Sequence, residues 1–324
     1  MKLLINQRQH ATLFSCFSLL CTLILIGCSG GDSADSGDSA DADSGNPVAV
    51  DDPREKGSDE PEEMPKLRRD GQNLSIVYWN VESGGNDPER AARDLTDLGK
   101  YHIIALSEVD KITTYKERVR KEFEGYDTIE GKTGVNREAP DDHLVIFYDP
   151  KRLYLVAKTT IEFAGDALDA ETVRHSIVCH FRERSDDTEF FMVLNHFEDD
   201  AALVKQQTDK LTSWIKDKSA PVVALGTFNF GYNFATEAAN ETMDSLVTGA
   251  NMRWVRPLKF GDTQWIDEDG DGADDSPDCL TDFGFVAFGA KKWPATCRVL
   301  GSDRDFPDSD SSSNHRPIEL LFQK

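Results

Sequence analysis

The sequence predicts an α/β domain built from two β-sheets covered by helices. Three observations carry that expectation. Over residues 71–324, short apolar or alternating runs recur between longer amphipathic ones. The short runs read as buried strands, as in Ile103-Ile104-Ala105-Leu106, which is too brief for a helix. Several of them end in a polar residue of a catalytic type, and the ends of central strands are where α/β proteins usually place their chemistry.

The elements follow in order. Residues 1–27 read as a signal peptide: Lys2 and Arg8 supply the positive start, and an apolar run from Ala11 to Ile26 is short for a membrane span. It ends in Leu25-Ile26-Gly27-Cys28. Residues 28–70 are rich in Ser, Asp, Gly and Pro, with nothing to bury, and are expected to form a disordered acidic tether. The domain begins near Gly71. Strands are expected at Leu74–Asn80, Ile103–Ser107, Leu144–Tyr148, Leu153–Ala157, Ser176–Phe181, Phe190–Leu194, Val222–Leu225, Asp282–Phe288, the run through Cys297, and Ile318–Phe322. Helices are expected at Pro88–Leu98, capped by Asp87, at Thr113–Phe123, and at Ala201–Lys216 with a stripe of Ala202, Leu203, Leu211 and Ile215.

The net charge of −23 includes an acidic domain, which argues against a general electrostatic grip on nucleic acid or anionic lipid. A stable nucleic-acid complex is not expected, and a monomer is. Cys279 and Cys297 flank what reads as a strand pair, and an export signal permits a disulfide between them. Cys179 lies in an apolar run and reads as a buried thiol.

Six strand ends carry candidate functional groups: Asn80 with Glu82, Glu108, His196, Thr227 with Asn229, Asp282, and Asn314 with His315. Each alone has an ordinary structural reading. A Glu at a strand end is as readily a solvated residue, a lone His a satisfied core or surface residue, and an Asn a turn former. The ordered set changes the odds.

That set resembles the endonuclease/exonuclease/phosphatase superfamily of metal-dependent phosphoesterases, across about Leu74 to Leu321. Trp79-Asn80 is similar to its opening Asn motif, and Glu108 to its metal-binding Glu. Asn195-His196-Phe197 resembles its Asn-Thr-His-Leu motif, and Gly226-Thr227-Phe228-Asn229 its Gly-Asp-Phe-Asn motif. Asp282-Phe283 resembles its late Asp-Tyr, and Ser313-Asn314-His315-Arg316-Pro317 its terminal Ser-Asp-His-Arg-Pro. Arg174 is similar to an Arg before a mid-chain strand in many members. The resemblance implies a four-layer α/β sandwich of DNase I-like type, two packed mixed β-sheets flanked by helices. It also implies Mg²⁺ or Mn²⁺ held mainly by Glu108, with Asn80 assisting and Asn314 beside it. His315 would bond a phosphate oxygen, Asp282 would orient His315, and His196 and Asn229 would bind phosphate or position water. The Gly27-Cys28 junction resembles the lipobox of bacterial lipoproteins. It implies lipidation at Cys28 and an exported chain anchored to a bacterial membrane.

Two positions depart from the family pattern, Thr227 and Asn314, each where the family has Asp. A Thr hydroxyl holds a water but does not take its proton at neutral pH, and general-base help is typically worth about 10²–10⁴-fold. The resemblance therefore implies an exported metal-dependent hydrolase of phosphodiesters or phosphomonoesters with an altered site, or a non-catalytic relative that binds a phosphorylated ligand or a partner. A separate acidic loop places Asp267, Asp269, Asp271, Asp275 and Asp278 at the spacing of a calcium loop, without the usual closing Glu. A structural Ca²⁺ is the expectation there, against a plain acidic surface loop.

Overall fold

The computed structural model describes residues 73–82, 87–132, 143–163, 174–265, 274–275, 278–301, 306 and 312–324. The leader, Cys28, the tether and Asp267, Asp269 and Asp271 of the acidic loop lie outside the described residues. In chain order the elements are β1 (Leu74–Asn80), α1 (Pro88–Asp97), β2 (Ile103–Ser107), α2 (Ile112–Glu122), β3 (Asp127–Lys132) and β4 (His143–Tyr148). Next come β5 (Leu153–Ile161), β6 (Ser176–Glu183), β7 (Glu189–His196), α3 (Ala201–Lys216), β8 (Val222–Asn233) and α4 (Glu241–Gly249). The chain closes with β9 (Arg253–Trp254), β10 (Cys279–Ala287), β11 (Ala295–Val299) and β12 (Ile318–Phe322).

These strands form two six-stranded sheets, ordered β11-β12-β1-β2-β4-β3 and β5-β6-β7-β8-β10-β9. Both are mixed: β1 runs parallel to β2 and β7 parallel to β8, and the other pairs are antiparallel. Period-two alternation sorts each strand between two layers. On β1, Ile76 and Tyr78 face the core between the sheets, where Phe181, Leu194, Leu225 and Phe283 meet them. Val77 and Trp79 face outward and are covered by Leu95 of α1 and Val119 of α2. On the other flank α3 packs on β8 and on α4. The result is helices, sheet, sheet, helices. Buried aromatic residues such as Phe228 and Phe283 are worth about 3–5 kcal/mol each against truncation to Ala.

The helices begin where the sequence has caps. The Asp87 carboxylate accepts from Arg90 N–H at 3.0 Å and Asp200 from Leu203 N–H at 3.0 Å. The buried stripe of α3 is Val204, Gln207, Thr208, Leu211 and Ile215; Ala202 is exposed and Leu203 half-buried, so the stripe starts later than the expected one. β8 runs well beyond Leu225, which carries Thr227 and Asn229 inside the strand. β3, α4 and β9 were not expected. The strand-pair reading for Cys279 and Cys297 is corrected: β10 and β11 belong to different sheets, separated by a 3-10 turn at Phe288–Lys292. Cys179, Cys279 and Cys297 are all buried, and no two of them are bridged to each other.

Candidate active site

The carboxyl end of β2 delivers Glu108, that of β1 delivers Asn80, and that of β7 delivers His196. The parallel pairs β1/β2 and β7/β8 point their ends to the same edge. β8 and β10 add Thr227 opposite Asp282, and the turn into β12 adds Asn314 and His315. The local backbone is unusual there. Glu82, Glu108 and Asn229 all sit at left-handed φ, 44°, 54° and 52°. Such conformations persist in non-glycine residues where surrounding structure over-determines them, and they cluster at functional sites. Beside Thr227, Gly226 has φ 141°, and a Cβ there would collide with the Asn195 carbonyl, so β7 and β8 approach closely just below the site. After Thr227 the register between β8 and β10 slips, and the bulge across residues 228–231 turns Asn229 to the edge.

The side chains form two hydrogen-bonded arms. In the first, Asn80 Nδ2 donates to Glu108 Oε1 at 2.9 Å, and His196 Nε2 lies 2.9 Å from the same oxygen. Arg174 reaches His196 Nε2 at 2.9 Å and donates to the Phe197 carbonyl at 2.8 Å, while its Nε pairs with Glu198 at 3.6 Å. Asn229 donates to the Phe197 and Glu198 carbonyls, both at 3.1 Å. Burial opposes ionisation of Glu108, yet the bonds from His196 and Asn80 and the nearby His315 hold its carboxyl well below the usual carboxylate range. Burial and then the Arg174 charge hold the His196 imidazole below its ordinary pKa, against the pull of Glu108. His196 Nε2 faces both the accepting Glu108 carboxylate and the donating Arg174 guanidinium, and Nδ1 is buried and without a partner among the described residues.

In the second arm, Ser107, Tyr78, Thr227, Asp282 and His315 follow one another through the interior. The steps are Ser107 Oγ to Tyr78 Oη at 2.6 Å, Tyr78 Oη to Thr227 Oγ1 at 2.7 Å, Thr227 Oγ1 to Asp282 Oδ1 at 2.6 Å, and Asp282 Oδ2 to His315 Nδ1 at 2.8 Å. Burial alone would lower the His315 pKa; the Asp282 charge and hydrogen bond outweigh it and raise the imidazole above its ordinary value. The arms join where Asn80 Nδ2 approaches Thr227 Oγ1 at 3.4 Å.

Thus Asn80, Glu108, His196, Thr227, Asn229, Asp282, Asn314 and His315 converge, and Arg174 joins them. Sequence reasoning missed Tyr78, Ser107 and Glu198 as members and left Glu82 without a role. Strand parity carried part of the signal: Tyr78 is two residues before Asn80 on the same face of β1. Glu82 donates its N–H to Asn80 Oδ1 at 2.9 Å and accepts from Asn314 N–H at 2.9 Å. Asn80 therefore turns its NH₂, not its oxygen, toward Glu108. Among the described residues no three His, Cys, Asp or Glu side chains gather as a metal cluster. The oxygen donors present still suit a hard divalent cation: Glu108 is ionised, and Asn314 Oδ1 is buried with no hydrogen-bond partner among the described residues.

No family model matches this sequence, and no curated protein matches it. Solved structures do match. An endonuclease/exonuclease/phosphatase family protein from Bacteroides thetaiotaomicron superposes with TM-score 0.57 at 17% identity, over 78% of this chain and 98% of that one. The fold is that of the endonuclease/exonuclease/phosphatase proteins. The mannosyl-6-phosphatase Bt3783 of the same organism shares this endonuclease/exonuclease/phosphatase fold with TM-score 0.55, 16% identity, and 76% and 99% coverage of the two chains. So does the human Nocturnin catalytic domain with bound sulfate, with TM-score 0.56, 15% identity, and 78% and 94% coverage. The two packed mixed sheets expected from the sequence are the architecture these chains have in common.

Proposed function

We propose that this chain is an exported, lipid-anchored phosphoesterase that needs a divalent cation and hydrolyses a phosphodiester or phosphomonoester. The observation that carries this reading is the meeting of an ionised Glu108 with Arg174, His196, Asn229 and the Asp282–His315 pair on one edge of the sandwich. A carboxylate for a cation, beside several donors for a phosphate, is what an anionic ester requires. Further support comes from the fold shared with a phosphatase and with a domain that binds sulfate, an anion of phosphate's shape.

Glu108, with the amide oxygen of Asn314, would hold Mg²⁺ or Mn²⁺, whose contribution is neutralisation of charge on the phosphoryl and leaving oxygens, while Asn80 orients Glu108 through its NH₂. Arg174 binds the non-bridging oxygens, and His196 holds Arg174 and Glu108 together at its Nε2. His315 keeps its Nδ1 on Asp282 and presents its other ring nitrogen to the ester. Thr227 does not orient the nucleophile. Its proton goes to Asp282 and its lone pairs face Tyr78 and Asn80. Asn229 spends its NH₂ on two carbonyls and keeps Oδ1 as an acceptor for the attacking water. An amide is a weak acceptor and no base, so turnover is slow. The same engagement of Thr227 favours a second reading, a non-catalytic domain that binds a phosphorylated ligand.

Anchoring rests on Cys28 in its lipobox-like context, and the partners are then a membrane and a phosphoester. The Asp267, Asp269, Asp271, Asp275 and Asp278 loop would take a structural Ca²⁺; calorimetry with no Ca²⁺ uptake at millimolar levels would remove that element. The function itself is tested by phosphate release from sugar phosphates and from an activated phosphodiester, with Mg²⁺, Mn²⁺ or EDTA. Cation-dependent turnover supports the enzyme. Cation-independent binding of phosphate without turnover supports the second reading.

A further inference from the structure

The hydrogen-bond geometry of the second arm assigns every proton in it. Asp282 has two oxygens, and as a carboxylate it only accepts. Oδ2 takes the His315 Nδ1 proton, with the Thr281 hydroxyl more distant at 3.3 Å, and Oδ1 takes the Thr227 hydroxyl proton at 2.6 Å. Thr227 has then spent its only hydroxyl proton, so the 2.7 Å contact with Tyr78 is made by the Tyr78 hydroxyl donating to Thr227 Oγ1. Tyr78 has likewise spent its only proton. Its oxygen accepts the Thr227 backbone N–H at 3.0 Å, and the 2.6 Å contact with Ser107 is made by the Ser107 hydroxyl donating to it. No alternative direction satisfies all of the groups, and none of Ser107, Tyr78, Thr227, Asp282 or His315 is more than 6% exposed. Water therefore does not reverse the chain.

We propose that Tyr78 is a positioning residue of this site: through Thr227 it aims a one-way relay of hydroxyl protons at Asp282 and so sets the strength of the Asp282–His315 hydrogen bond. The relay starts on β2, passes β1, crosses from the first sheet to the second at Tyr78–Thr227, and ends on the turn before β12. It ties the two sheets together where the site straddles them. Aligned donors polarise one another in a buried setting, so removing one weakens its neighbours as well. Tyr78 touches no ligand position itself. Its functional consequence, firmer hold of phosphate by His315, rests on the phosphoesterase reading; the relay itself does not.

The test reads the His315 Nδ1 proton directly by NMR of the full chain labelled with ¹⁵N-histidine, the resonance being assigned by its loss in His315→Gln. A strong Asp282–His315 bond places this proton far downfield. Tyr78→Phe and Thr227→Val are each expected to move it upfield, and the double variant to move it no further than Thr227→Val alone, because both break one chain. Ser107→Ala, a smaller lesion that keeps the Tyr78 ring, is expected to move it in the same direction by less. A resonance unmoved in Tyr78→Phe or in Ser107→Ala, with circular dichroism unchanged, overturns the relay and leaves Tyr78 a packing residue. Calorimetric titration with inorganic phosphate separates the two claims. Wild type is expected to bind, and Tyr78→Phe to bind about tenfold more weakly. A wild type that does not bind phosphate overturns the phosphoesterase reading, while the His315 resonance still decides the relay.

Discussion

The same strands carry different chemistry at their two ends. β2 leaves through Glu108 at one end and enters after His102 at the other. β12 is preceded by His315 and followed, just past its far end, by Lys324. At the site end the backbone of Glu82, Glu108 and Asn229 is left-handed, and Glu108 and Arg174 keep about a fifth of their side chains exposed, at 21% and 22%. At the far end Glu183 is fully buried between Arg152 and Lys324. His102 Nδ1 accepts the Ser75 N–H at 3.1 Å, an ordinary tie between neighbouring strands. Both ends are ionic, so charge alone does not mark the site. Left-handed backbone is not confined to the site end either, since Asp187 in the turn after Glu183 has φ 57°; what marks the site is access to its carboxylate, 21% exposed at Glu108 against 0% at Glu183.

Variants should separate the two ends. The largest effect on turnover is expected from His315→Ala or Asp282→Asn, which should cut phosphoester hydrolysis by about 10²–10⁴-fold per folded molecule, beyond the stability lost with the buried pair. A steady-state assay corrected for the folded fraction in a thermal melt checks this. Glu183→Gln should lower stability alone. Removing one partner of a buried ion pair strands the cations, at a cost of roughly 3–5 kcal/mol in unfolding free energy, with activity per folded molecule unchanged. If Glu183→Gln altered turnover instead of denaturant midpoint, the division between the ends would fail.

The two histidines should also respond to pH with opposite signs. Burial, then the Arg152 charge, lowers His102 to about 4. Between that value and about 6.5, where an unfolded His titrates, the unfolded chain binds more protons. Stability from His102 is therefore whole above 6.5 and lost as pH falls through the window. Denaturant melts at pH 7 and pH 5 should differ more in wild type than in His102→Asn. His315 runs the other way: its raised pKa makes its contribution whole below 6.5 and lost as pH rises past the folded value. The smallest effect is none at all. Burial pushes the Cys179 thiol up to about 12, so at pH 8 it should resist alkylation until denaturant is added.

Much of this was legible in the sequence, for reasons that differ by region. Strands such as Ile103–Ser107 declare themselves because both faces are buried and every position is apolar or small. β3 was not legible, since Asp127-Thr128-Ile129-Glu130-Gly131-Lys132 is an edge strand held by its pairing with β4 rather than by its own composition. The site residues stood out as polar groups ending apolar runs. Tyr78 did not, because an aromatic residue inside a strand reads as core, and only the approach of β8 from the other sheet gives its hydroxyl a purpose. The Cys279 and Cys297 runs misled because adjacency along the chain suggested pairing, whereas the 3-10 turn sends them to separate sheets.

If the site end binds and hydrolyses a phosphoester through Glu108, the full chain should hydrolyse an activated phosphodiester in Mg²⁺. The measurement runs beside an EDTA control and Glu108→Ala. Slow turnover is expected that disappears both in EDTA and in Glu108→Ala, with the variant still folded. Turnover that persists in the folded Glu108→Ala protein, or a wild type silent in Mg²⁺ and Mn²⁺ alike, would contradict that reading.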